Sequence, residues 1–258
     1  MAYAISDVSD LLMHFAADDL VGFTNGDPVG SWADSSPSGI DLTAAAGDEP
    51  EYVASAINSL PAVKFVASNT ERMYSSTGLG VVPRNLAIAA VFKLTTLATW
   101  RGVFALDVSS PVSGYGDRNL MSNSGGALYF FGSTYDNLLS ITADTWVLVM
   151  FSYHQCDRNS RLNGRYPGIT DITYPTGLKA TMGFVNSLYS DTSIAEIVLW
   201  DEDEAAPQSH YIEGFLADKY AISLDSEHPF FAAAPTTGPP TGAGGGLMKI
   251  GQGGGYNG

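Results

Sequence analysis

Cysteine is almost absent. Cys156 stands alone among 258 residues, so neither an intrachain disulfide nor a thiolate metal cluster can form. Cations are scarce as well: twelve Lys and Arg face 27 Asp and Glu, a formal charge of −15. Nucleic acid and anionic membrane surfaces are poor partners for such a chain, because phosphate binding needs clustered positive charge. No apolar run approaches the roughly 18 residues that span a bilayer. The start, MAYAISDVSDLLMHF, lacks a basic stretch followed by an apolar core, so no secretory signal is read there. The expectation is a chain made in a cytoplasm that reaches any external site by another route.

What is present describes a folded protein. The apolar fraction is 45% and the charged fraction 15%, a globular and not a disordered composition. Helical periodicity stands out once. Within 193–222, SIAEIVLWDEDEAAPQSHYIEGFLADKYAI, a β-branched apolar run at 194–200 reads as one buried strand followed by an acidic turn. Ile212, Phe215, Leu216 and Tyr220 then share one helical face. Ser6-Asp7-Val8-Ser9-Asp10 caps a short turn that runs into a strand at 11–16. Further strand candidates lie at 62–66, 86–94, 102–108, 127–131 and 146–153, separated by Gly, Asn, Asp and Pro clusters. Asn163-Gly164 reads as a hairpin turn. Strands at this frequency without interleaved helices predict an all-β fold, an antiparallel jelly-roll β-sandwich with one short C-terminal helix. The sandwich is assigned to 1–234. Residues 235–258, PTTGPPTGAGGGLMKIGQGGGYNG, form a Gly/Pro-rich tail. Leu247, Met248, Ile250 and Tyr256 are apolar anchors among its glycines, the pattern of a docking peptide.

Two blocks carry a resemblance. One is Asp18-Asp19 followed by GDPVGSWADSSPSGIDLTAAAGDEPEYVASAINSLPAVKF at 26–65. The other is AEIVLWDEDEAAPQSHYIEGFLADKYAI with His228-Pro229-Phe230. Together they resemble the concanavalin A-like lectin/glucanase superfamily, in the laminin-G-like form found in bacterial surface proteins and phage structural proteins. Residues from about 70 to 190 show only the strand rhythm. Trp32 and Phe65 are expected in the core, and Asp34 is expected to accept backbone N–H groups in an Asx turn. Gly214 is expected to let the helix approach the sheet. The resemblance places Ala205 where a capping Ser or Thr is usual, with Pro207 in the first turn and Asp201, Glu202, Asp203 and Glu204 as negative charge at the helix start.

Catalytic patterns are missing. Glycanases of this superfamily need carboxylates at alternating strand positions, yet Glu196 is followed by Ile197, Val198, Leu199 and Trp200, and Glu202 and Glu204 fall in the turn. His14, His154, His210 and His228 follow no metal-ligand spacing. No cofactor is expected. The resemblance implies a calcium site at a rim, as many lectin-like sandwiches hold one, with Asp18, Asp19, Asp117 and Asp201 as candidates by residue type and solvated surface acids as the plainer reading. Tyr115, Asp117 and Arg118 form an aromatic and polar loop, with Trp100, Arg101 and Tyr135 as candidate neighbours. Such a set suits a glycan or a protein partner. The expectation is a non-enzymatic virion structural protein of a phage, in capsid decoration or in the tail or fibre. It would be anchored by its tail to other virion proteins as a homo-oligomer, with glycan adhesion. The alternative is a carbohydrate-binding module of a bacterial surface protein.

Overall fold

The computed structural model of the chain describes residues 3–80, 86–97, 100–107, 118–131, 135–154, 157–162, 178–185, 188–201 and 208–236. Its strands begin with β1 (Leu11–Ala16), β2 (Ser31–Trp32), β3 (Leu42–Thr43), β4 (Glu51–Ile57), β5 (Leu60–Phe65) and β6 (Met73–Tyr74). They continue with β7 (Leu86–Leu94), β8 (Arg101–Asp107), β9 (Arg118–Ser122), β10 (Ala127–Phe131), β11 (Tyr135–Ser140) and β12 (Trp146–His154). The last are β13 (Asp157–Leu162), β14 (Lys179–Met182), β15 (Phe184–Val185), β16 (Leu188–Tyr189) and β17 (Thr192–Asp201), followed by helix α1 (Ser209–Tyr220).

Two antiparallel sheets form the expected all-β sandwich. The first has the order β13-β12-β7-β17-β5-β4, with β1 also paired to β17; the second runs β11-β10-β9-β8-β14-β6-β3-β2. Phe15, Trp32, Phe65, Phe92 and Phe104 are almost fully buried in the core that includes residues of both sheets. Trp32 and Phe65 therefore pack, as expected.

The apolar run of β17 follows from burial on both faces. Ile194, Ile197 and Leu199 belong to the core between the sheets, whereas Ala195, Val198 and Trp200 lie with the helix residues Ile212, Leu216 and Tyr220. The register of β17 against β7 shifts between Ile194 and Glu196, which changes the phase of alternation at the acid. The helix thus covers the outer face of the first sheet.

Three expectations change. Helix α1 begins at Ser209, after Pro207, and its N-cap is Gln208 with no side-chain cap. Gln208 instead reaches Ser9, whose Oγ accepts from Nε2 at 2.6 Å. The first turn of α1 holds no acid, and Glu202, Asp203, Glu204 and Ala205 lie outside the described residues. Gly214 makes room for the segment that returns after the helix: a Cβ there would lie 2.8 Å from Phe230. The short turn near the start is 3-10 (Ile5–Asp7), closed by Asp7, whose Oδ2 accepts from Ala4 N at 2.9 Å. The Asn163-Gly164 hairpin and the tail from 237 lie outside the described residues.

Candidate functional site

On β8, Phe104 and Leu106 enter the inter-sheet core, while Ala105 joins Val185, Trp100 and Leu188 in a separate small cluster. The two-stranded ribbon β15–β16 therefore lies on the outer face of the second sheet. Gly102 permits this approach, since a Cβ there would overlap Val185. Gly183 adopts φ +74, a left-handed backbone that favours glycine, and a Cβ there would overlap Phe65. The Ser190 hydroxyl donates to Gly102 O and its N–H donates to Gly183 O at 3.0 Å, which ties the ribbon to the sheet.

Two arginines hold the ribbon from opposite sides of Tyr189. Arg72 Nη1 donates to the Tyr189 hydroxyl at 2.9 Å, and Arg101 Nη1 donates to the Tyr189 carbonyl at 2.7 Å. Arg72 Nη2 also sits 3.3 Å from Asp48 Oδ2. Its guanidinium lies over Phe184 at 5.2 Å and over Tyr189 at 5.7 Å, and these two rings are 4.7 Å apart. The Nε atoms of Arg72 and Arg101 are buried without a hydrogen-bond partner among the described residues. Trp100 adopts φ +52, which costs a bulky residue on the order of 1–2 kcal/mol. Tyr74, Trp100, Arg101, Leu188 and Tyr189 are all half-buried. The patch thus offers aromatic surface beside guanidinium donors that can bond oxygen acceptors.

Strand register extends this region. Thr43, Tyr74, Thr181, Ala105, Asn119, Phe131 and Tyr135 pair in turn across the sheet. Tyr135 stands at the end of that row, and Arg118 pairs with Leu106 one position from Asn119. Of the site residues expected from sequence, Trp100 and Arg101 meet at the ribbon. Tyr115, Asp117 and the tail residues Leu247, Met248, Ile250 and Tyr256 lie outside the described residues. Arg72, Phe184 and Tyr189 were not expected. The signal for Phe184 and Tyr189 is the stretch GFVNSLY at 183–189, with an apolar pair on each side of Asn-Ser, and Arg72 has none.

Glu196 occupies a different place. It is fully buried, and its carboxylate contacts His14 Nε2 at 2.8 Å, Lys219 Nζ at 2.7 Å and the Tyr220 hydroxyl at 2.7 Å. Burial alone would raise its carboxyl, but the His14 hydrogen bond and the Lys219 charge hold it below the ordinary carboxylate range. Lys219 continues to Asp18 Oδ1 at 2.9 Å. A second buried pair, His228 Nε2 and Glu213 Oε2 at 3.2 Å, ties the segment after α1 to the helix. These groups join elements, and their carboxylates are already engaged by protein donors.

Of the calcium candidates, Asp117 lies outside the described residues, and Asp18 and Asp19 are engaged within the chain. Asp18 faces the Lys219 ammonium, and Asp19 accepts from Ser35 Oγ at 2.6 Å. No group of three or more acidic, His or Cys ligands able to hold a metal occurs among the described residues. Asp34 behaves as expected: its carboxylate accepts from His14 N, Ser36 N, Ser36 Oγ and Ile40 N at 2.8–2.9 Å.

No protein-family model matches the chain, and no curated protein matches it in sequence. Solved structures match in fold. Domain 4 of AbnA, a GH43 extracellular arabinanase from Geobacillus stearothermophilus in complex with arabinotriose, is 15% identical, with a TM-score of 0.55 over 74% of this chain and 92% of that one. Botulinum neurotoxin type C, which depends on interaction with two ganglioside molecules to enter cells, is 8% identical, with a TM-score of 0.53 over 77% of this chain. Trypanosoma rangeli sialidase with the inhibitor DANA is 14% identical, with a TM-score of 0.50 over 74% of this chain. The chain spans 49% of the neurotoxin chain and 30% of the sialidase chain. At these identities the likeness is one of fold.

Proposed function

We propose that this chain is a non-enzymatic, lectin-like sandwich of concanavalin A type that holds a saccharide on the ribbon-covered outer face of its second sheet. The observation that carries the reading is the partly exposed set of Trp100, Tyr189 and Arg101, fixed by Arg72 and Gly102. Sugar rings present apolar faces that stack on aromatic side chains and hydroxyls that accept from fixed donors, and this patch supplies both. The fold shared with an arabinotriose-bound domain and with a ganglioside-dependent toxin supports it. The absence of catalysis is supported by Glu196, a carboxylate buried and bonded on all sides by His14, Lys219 and Tyr220. On a phage particle, the sandwich would face outward as capsid decoration or as part of the tail or fibre. The 235–258 tail would join it to other virion proteins, and the apolar residues spaced among its glycines support that anchor.

Binding of the purified full chain to a glycan array tests the saccharide reading. At least one oligosaccharide family should bind saturably. Trp100→Asn, which tolerates left-handed backbone and removes the ring, should weaken that binding about tenfold. An array with no bound glycan would contradict the proposal.

A further inference from the structure

The cations of this chain are few, and most of those described are already paired. Lys64 lies 3.3 Å from Glu51, Arg72 3.3 Å from Asp48, Lys93 2.7 Å from Asp144, and Lys219 2.7 Å from Glu196. Arg101 differs. It is half-buried at the candidate site, and no carboxylate lies within salt-bridge distance among the described residues. One of its five N–H groups reaches the Tyr189 carbonyl at 2.7 Å, and its Nε is buried without a partner among the described residues. Its Nη2 is bonded to no described residue and is not among the buried atoms, so the guanidinium keeps an accessible donor for an acceptor from outside the chain. A guanidinium presents a planar fork that matches a carboxylate or a sulfate ester.

We infer that Arg101 forms an anion subsite, so that the saccharide bound beside Trp100 and Tyr189 is one carrying an acidic sugar. This rests on the glycan reading of the same patch and names its ligand class. The formal charge of −15 sets a further condition. A long polyanion would meet repulsion over the rest of the surface, whereas a single acidic residue on an otherwise neutral oligosaccharide engages only the local cation. The ligand is therefore an oligosaccharide with an isolated acidic unit.

The test uses the full chain and an array on which uronate-terminated and N-acetylneuraminate-terminated oligosaccharides stand beside their methyl esters. Neutral parents and parents carrying one sulfate ester complete the set. The expected result is at least tenfold tighter binding of the free acid than of its ester, with Arg101→Gln reducing the acid to the level of the ester. Arg101→Lys should retain part of the preference, because it keeps the charge and loses the fork. Preference for the sulfate ester over the carboxylate would assign the subsite to sulfate. Equal binding of acids, esters and neutral parents, with Arg101→Gln unchanged, would overturn the anion subsite and leave the glycan reading standing. No binding to any oligosaccharide would overturn both. Thermal unfolding of each variant, unchanged within a few degrees, separates lost recognition from lost folding.

Discussion

The Glu196 carboxylate and the Lys219 ammonium lie 2.7 Å apart, joining the middle of β17 to the last turn of α1. The helix rests on this outer face through Ile212 and Leu216, which are fully buried. Removing the acid leaves an ammonium near the interface with only Asp18 opposite it, and it leaves the Tyr220 hydroxyl without its acceptor carboxylate. Glu196→Ala is expected to cost about 3–5 kcal/mol, the range for breaking one side of a buried pair. Urea unfolding measures it.

The same cluster sets a pH dependence. Glu196 is held low in the folded state, so its stabilising contribution is complete above the unfolded carboxyl value and is lost as pH falls through the folded one. Lys219 is shifted the other way: burial lowers it, but the Glu196 and Asp18 carboxylates outweigh burial and raise it. Tyr220 is raised by burial and by Glu196. Those two contributions are complete below the unfolded values and are lost as pH rises through the folded ones. The melting temperature is expected to be level from about pH 5 to about pH 9 and to fall on both sides. Glu196→Gln should make both limbs shallower in a thermal scan across pH.

Gly214→Ala separates helix propensity from packing. Alanine favours a helix by about 1 kcal/mol over glycine. Here its Cβ would lie 2.8 Å from Phe230, whose segment is held by the Glu213–His228 pair. Net destabilisation of about 1–2 kcal/mol is expected. In the Phe230→Ala background the same change should turn neutral or stabilising, as read by a double-mutant cycle in urea.

Gly102→Val tests the ribbon. The added side chain would overlap Val185, and the ribbon must move off β8. The inter-sheet residues Phe104 and Leu106 face the other way, so unfolding should remain cooperative with a loss of about 1–3 kcal/mol. Glycan binding should fall with it, because Tyr189 leaves Arg101.

Sequence showed what depends on local pattern. The bounds of β1, β7 and β10 coincide with the apolar runs that announced them, and the Asp34 turn forms among neighbours six residues apart at most, apart from His14. It could not show partners brought together from a distance. Gln208 makes no side-chain cap on its own helix and instead bonds Ser9, 199 residues away. Gly214 announced a close approach without naming Phe230 as what approaches. Arg101 was legible as a polar neighbour of Trp100, but its fixing on Tyr189, 88 residues on, depends on a ribbon that only the sheet register positions.

Tryptophan indole resonances report the site directly, because the chain has four: Trp32, Trp100, Trp146 and Trp200. Trp32 and Trp200 are fully buried, Trp100 lies on the outer face of the second sheet, and Trp146 packs on the first sheet beside Lys93 at 5.7 Å. In a ¹⁵N correlation spectrum titrated with the tightest-binding array oligosaccharide, the Trp100 indole and the Arg101 and Tyr189 amides should shift saturably together while Trp146 stays still. Movement of Trp146 with Trp100 unmoved would place the saccharide elsewhere and contradict the assignment.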